Sequence, residues 1–268
     1  MPALKDAQRC PARAAWLLTV LVATVISART AGALAADAGS APAAVAAADS
    51  APADAALERD VTTLMQQMNA YWVREFRVLK AVYQPASLRF YQHALSNGCQ
   101  VGAATVGPFY CPDESRVYLQ QEYLTQLQAR AGSAAPLALA YLVGHELGKH
   151  IQDLVGTTEQ VEQARARDTA ELSARTWAIA ELQADCFGGL AVRGAQPQLA
   201  RQDFSAALQA VASTTQSQRA NLPAGEVMPD PVQSYATAAQ RLSWFQRGLA
   251  SGNFAECDTF SAAAAGKL

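Results

Sequence analysis

The chain has 268 residues, 51% of them hydrophobic and 16% charged, with a formal net charge of -2. That composition supplies a globular chain with enough apolar material for one sizeable core. The near-neutral, slightly acidic balance gives no basis for nucleic-acid binding, and it leaves an enzyme and a binding module equally open.

Lys5, Arg9 and Arg13 precede an apolar run from Ala14 to Ala28, and Ala33-Leu34-Ala35 then offers a small-x-small cleavage site. This predicts a secretory signal over 1–35, with an uncleaved membrane anchor as the alternative. The run is shorter than the roughly 20 residues a spanning helix prefers. Residues 36–55 are almost all Ala, Asp, Pro, Ser and Gly, too poor in apolar side chains to offset the entropy of ordering, and read as a tether. The folded domain is therefore expected over 56–268, in the periplasm or outside the cell.

Leu57, Val61, Leu64, Met65, Met68, Tyr71, Trp72 and Phe76 recur at three and four residues and predict a helix over 56–82 with a core-facing stripe. Leu88 to Leu95 and Arg116 to Leu119 are short strand candidates between turn residues. His93, in the first of them, reads as a surface residue. Cys10 leaves with the signal, so the mature chain keeps Cys99, Cys111, Cys186 and Cys257. Four cysteines in an oxidising compartment allow three pairings. The short loop favours Cys99–Cys111, which leaves Cys186–Cys257.

Ala134 to Val155 reads AAPLALAYLVGHELGKHIQDLV and predicts a buried helix, with Ser133 as N-cap, Pro136 in the first turn and Gly156 just past the end. It carries His145, Glu146, Lys149 and His150 among apolar neighbours, where ionisable groups are costly unless paired or metal-bound. His145-Glu146 opens the zinc-protease pattern H-E-x-x-H, in which two histidines four apart share a helix face and bind one zinc. The fourth position here is Lys149. His150 is one residue further and about 140° away around the helix, so it cannot replace the ligand without unwinding. Residues 157–167 read as a loop or frayed helix, and a second long helix is expected from Thr169 to Val192. That helix contains Glu181 and Asp185, the spacing by which some zinc peptidases supply a third ligand and its supporting carboxylate. A C-terminal helix over 234–250 should bury Leu242, Trp244, Phe245 and Leu249. The fold expected is α+β and mainly helical, a zincin-like core in which the helices bearing His145 and Glu181 lie side by side.

Cys99 to Pro112, Ala140 to Gly156, Glu181 to Gly189 (ELQADCFGG) and Gln240 to Phe260 (QRLSWFQRGLASGNFAECDTF) together, in this order, resemble the bacterial neutral zinc metallopeptidase family. The resemblance covers most of the mature domain. It implies zinc in the family, with His145 as first ligand, Glu146 as the base, Glu181 as third ligand and Asp185 supporting. Lys149 stands where the second histidine belongs, and His150 matches the second of two adjacent family histidines. Ser234-Tyr235-Ala236 replaces a Thr-His-Gly, placing Tyr235 at a family histidine, and Ser213 to Gln216 replaces an acidic stretch. A lysine ammonium is a poor zinc ligand near neutral pH, so zinc is expected to be absent or weakly held here. Lys149 could instead serve as the local cation, balancing Glu146 and Glu181 together with a protonated His145. The reading that follows is a catalytically degenerate, exported member that keeps a cleft for a peptide or protein partner. The alternatives are an active peptidase recruiting His150, Asp185 or Tyr235, and a purely structural role. Membrane contact is expected if the signal segment is uncleaved.

Overall fold

The structure, a computed structural model, describes residues 50–95, 99, 104–228 and 236–268. The expected signal and residues 36–49 of the expected tether lie outside them. The chain enters through α1 (Ser50–Val78), which starts before the expected Ala56. Pro52 does not prevent this, because the first turn of a helix has no intrahelical partner for its N–H groups. The helix also stops earlier than the spacing predicts: Lys80 turns left-handed at φ 57°, and the Ala81 N–H closes back on the Phe76 carbonyl at 2.8 Å. The heptad-like stripe is core as expected, with Met68 and Trp72 fully buried. Trp72 meets Phe76, Phe187 and Phe254 edge-on, the arrangement that aromatic quadrupoles favour.

A small sheet follows, in the order β1 (Ser87–Tyr91), β4 (Arg116–Gln120), β3 (Phe109–Cys111). β1 and β4 are parallel with Leu88 opposite Val117, and β3 runs antiparallel to β4 with Tyr110 opposite Val117. The two strands read from sequence are β1 and β4; β3 carries too few residues to show a period. A separate two-stranded ladder pairs β2 (Ala104–Thr105) with β5 (Glu226–Val227).

The helical body consists of α2 (Gln121–Ala131), α3 (Ala135–Leu154), α4 (Thr157–Arg165), α5 (Ala170–Ala195), α6 (Ser205–Ala220), α7 (Ala238–Ser251) and α8 (Thr259–Ala264). Pro136 lies in the first turn of α3 and Gly156 follows its end at φ 81°, both as expected. Ser133 does not cap it. A 3-10 turn over Gly132–Ala134 carries α2 straight into α3, so Ala134 holds the cap position without a side-chain bond. Residues expected as loop or frayed helix form α4. Helix α7 begins at a capping box between Thr237 and Gln240, later than the expected Ser234, because the reciprocal bonds satisfy its first free N–H groups there.

Helix α5 is the hub, packed by α1, α3, α4, α7 and α8. It lies beside α3 as expected, and small residues allow the approach. A Cβ on Gly148 would strike the Ala184 carbonyl oxygen, and one on Gly189 would strike the Phe245 carbonyl oxygen of α7. Backbone-to-backbone contact at these points fixes which side chains of α3, α5 and α7 face one another. Disulfides join Cys99 to Cys111 and Cys186 to Cys257. The second ties the C-terminal segment to α5 and, closing a long loop, restricts the unfolded chain by roughly 4 kcal/mol. No helix among the described residues is long and apolar enough to cross a membrane.

Candidate metal-site remnant

Close packing of α3, α5 and α7 brings His145 and Lys149, Glu181 and Asp185, and Arg241 to one place. His145, Glu146, Glu181 and Asp185 are all buried. The Lys149 and Arg241 side chains, 19% and 23% exposed, form its accessible edge.

Asp185 anchors the cluster. Its Oδ1 accepts from the His145 Nδ1–H at 2.7 Å and from the Tyr141 hydroxyl at 2.7 Å. The Arg241 guanidinium grips the same carboxylate through Nε to Oδ2 at 2.8 Å and Nη2 to Oδ1 at 3.1 Å. Burial alone would raise the Asp185 pKa, but Arg241 and His145 outweigh it and hold the carboxyl below its usual range. The family resemblance implies a supporting role for Asp185, and in the structure it contacts His145 directly.

The other imidazole nitrogen faces Glu181, with Nε2 3.1 Å from Oε2. The approach is off the N–H axis, and Glu181 Oε2 is buried without a hydrogen bond, so the contact is ionic. Lys149 Nζ stands 3.5 Å from Glu146 Oε1 and 3.7 Å from Glu181 Oε1. Arg241 Nη2 lies 3.7 Å from Glu181 Oε2 and over the imidazole, 3.3 and 3.4 Å from its two nitrogens. Burial would lower the His145 pKa. Asp185 and Glu181 more than reverse that, against opposition from Lys149 and Arg241, and push it up to about 9. Glu181 is likewise penalised by burial, yet Lys149, His145 and Arg241 hold its carboxyl far below the usual range. The three carboxylates of Glu146, Glu181 and Asp185 are thus faced by Lys149, Arg241 and an imidazolium.

Whether this set suits a catalytic zinc follows from its donors. His145 Nε2 and Glu181 Oε2, 3.1 Å apart, could both reach one ion at bond lengths of about 2.0–2.2 Å. Asp185 on Nδ1 would orient the ring as such a ligand requires. The third place holds an ammonium, a donor of protons with no lone pair until it deprotonates. Among the described residues no three His, Cys, Asp or Glu side chains are arranged to hold a metal ion. The set does not fit a three-ligand catalytic zinc. Glu146 lies in the cluster, with its Oε2 buried and without a hydrogen bond.

His150 is not brought to the cluster. It is fully buried on the other side of α3, where Nε2 faces the Gln84 carbonyl at 2.8 Å and Nδ1 the Tyr110 hydroxyl at 2.9 Å. The same hydroxyl lies 2.9 Å from Asp153 Oδ2. Burial keeps the His150 pKa below its ordinary value. Nor has Asp185 room to serve as a ligand, since His145, Tyr141 and Arg241 already occupy it. Tyr235 lies outside the described residues. His93 is exposed, as expected.

Arg241 and Tyr141 were not legible as parts of the site. The available signal was a cation inside the otherwise uncharged motif Gln240-Arg241-Leu-Ser-Trp-Phe, whose Trp244 and Phe245 are core. A charge kept in such a motif must have a buried partner, but nothing in the sequence names Asp185 as that partner.

Comparison with known proteins matches the sequence to a family. The family described as "Putative neutral zinc metallopeptidase" matches residues 12–260. The uncharacterized protein YpfJ of Escherichia coli K12 is 34% identical over 191 residues, 70% of this chain and 66% of that protein. The uncharacterized protein Rv2575 of Mycobacterium tuberculosis H37Rv is 32% identical over 195 residues, 68% of this chain and 64% of that protein. The chain thus spans just under two thirds of the length of these relatives. No solved structure matches. With a match over nearly its whole length, the chain belongs to the neutral zinc metallopeptidase family.

Proposed function

We propose that this chain is a catalytically degenerate member of the family, exported from the cytoplasm, which binds a peptide or protein partner in the remnant cleft without hydrolysing it. The observation that carries the reading is Lys149 Nζ at 3.5 and 3.7 Å from Glu146 and Glu181. A fixed cation there neutralises the carboxylate that would activate water and the one that would ligate zinc. The lone pair of Glu146 is then engaged by an ammonium rather than poised on a water, and general-base chemistry needs that lone pair free. The two disulfides support an oxidising compartment. Lys149 and Arg241 at the accessible edge favour a partner that brings a carboxylate, such as a chain terminus or an acidic side chain.

The test pairs hydrolysis with binding. Purified protein is incubated with a fluorogenic peptide library with added zinc, and peptide binding is followed by fluorescence polarisation in excess chelator. The expected outcome is no cleavage above the Glu146→Gln variant, with binding that persists in chelator. Zinc-dependent cleavage abolished by Glu146→Gln would overturn the reading.

A further inference from the structure

Single exposed apolar side chains are ordinary, but a cluster of them beside unpaired cations is not. Among the described residues the two most exposed large apolar side chains are Val82 at 84% and Val78 at 76%, with Leu79 also exposed between them. They sit where α1 ends. Lys80 in the same segment adopts φ 57°, a conformation disfavoured for any residue with a Cβ. The Ala81-to-Phe76 backbone bond closes the turn. The result is a fixed knuckle that holds apolar side chains outward.

Past Glu75, which neighbours Arg74, its charge is of one sign. Arg74, Arg77 and Lys80 are exposed, and none of them has an ion pair among the described residues. The sequence has no acidic residue from Phe76 to Pro112. Exposed valine and leucine ringed by cations complement an anionic bilayer, which offers hydrocarbon to the first and phosphate to the second. If it is retained, the apolar run Ala14 to Ala28 behind Lys5, Arg9 and Arg13 would also hold the chain near one.

We propose that the Arg77–Val82 knuckle is a peripheral membrane contact. Val78, Leu79 and Val82 enter the headgroup region, and Arg77 and Lys80 take lipid phosphates. The contact does not depend on the reading of the remnant site.

The test uses the full chain carrying Cys10→Ser and Val82→Cys, labelled at residue 82 with an environment-sensitive nitrobenzoxadiazole dye. The remaining cysteines are in disulfides. Vesicles of phosphatidylcholine with phosphatidylglycerol should shift the emission to the blue and raise it several-fold. Pure phosphatidylcholine should do little, and a label at exposed Gln216 on α6 should not respond. Arg77→Glu with Lys80→Glu should raise the lipid needed at least about tenfold. Val78→Ser with Leu79→Ser, changed on the protein labelled at 82, should weaken the response while leaving thermal unfolding unchanged. Unchanged emission from residue 82 on anionic vesicles that sediment the chain would overturn the proposal, as would equal responses to the two lipids. A response to poly-glutamate without one to vesicles would also overturn it, in favour of an acidic protein.

Discussion

Two histidines on one helix, His145 and His150, have opposite fates. His145 lies between two carboxylates and is held as an imidazolium, its pKa raised to about 9. His150 lies between a carbonyl and a phenol, and burial keeps it neutral. Both are buried to nearly the same degree, so burial does not separate them. Partners do, and the partners follow from helix phase. Five residues turn α3 by about 140°, enough to carry His150 from the α5–α7 side to the side of β3 and the segment before β1. His150 therefore does not reach the side of α3 on which His145 and Lys149 lie.

The sharpest way to break that comparison is to remove the carboxylate that contacts His145 and the one that contacts Tyr110, the phenol beside His150. Asp185→Ala leaves His145, Arg241 and Tyr141 facing a buried gap and should cost about 3–5 kcal/mol in urea unfolding. Asp153→Ala, at a partly exposed residue, should cost no more than about 1 kcal/mol. Equal losses would show that the two sides of α3 are alike.

The pH dependence of stability should differ in sign. For His145 the folded pKa lies above the unfolded one. Its contribution is complete below about pH 6.5 and is lost as pH rises toward about 9, some 3 kcal/mol in all. For His150 the folded pKa lies below. Its contribution is complete above about pH 6.5 and is lost as pH falls beneath that value. Unfolding in chelator from pH 5 to 10 should therefore show a smaller alkaline loss in His145→Gln and a smaller acid loss in His150→Gln. The reverse assignment would contradict the partners described for each ring.

The smallest effect is expected at Tyr110. Removing its hydroxyl in Tyr110→Phe deletes one neutral hydrogen bond to His150 and should cost about 1 kcal/mol. Zinc content should not change. A change in zinc content would link the two sides of α3 after all.

Much of this was legible because its physics is local. The buried character of α3 follows from its apolar run, the pairing of Cys186 with Cys257 from the elimination of Cys10 and a short first loop, and the divergence of His150 from helical arithmetic. The contact of His145 with Asp185 was inferable only through the family resemblance. Helices α2 and α6 are not among the elements read from sequence: both are shorter than α1, and Tyr123, Leu124 and Leu127 are the whole buried set of α2. Arg241 was missed for another reason. Its role depends on a glycine contact that seats α7 on α5, a tertiary fact without a local period.

The central claim is that one side chain, Lys149, separates this cluster from a three-ligand zinc site. Its most direct test is zinc per chain, measured by mass spectrometry after identical purification and dialysis of the unmodified protein and Lys149→His. The account predicts well below stoichiometric zinc in the unmodified protein and near-stoichiometric zinc in the variant, because His145, Glu181 and Asp185 are already placed. Near-stoichiometric zinc in the unmodified protein, or none in Lys149→His, would contradict it.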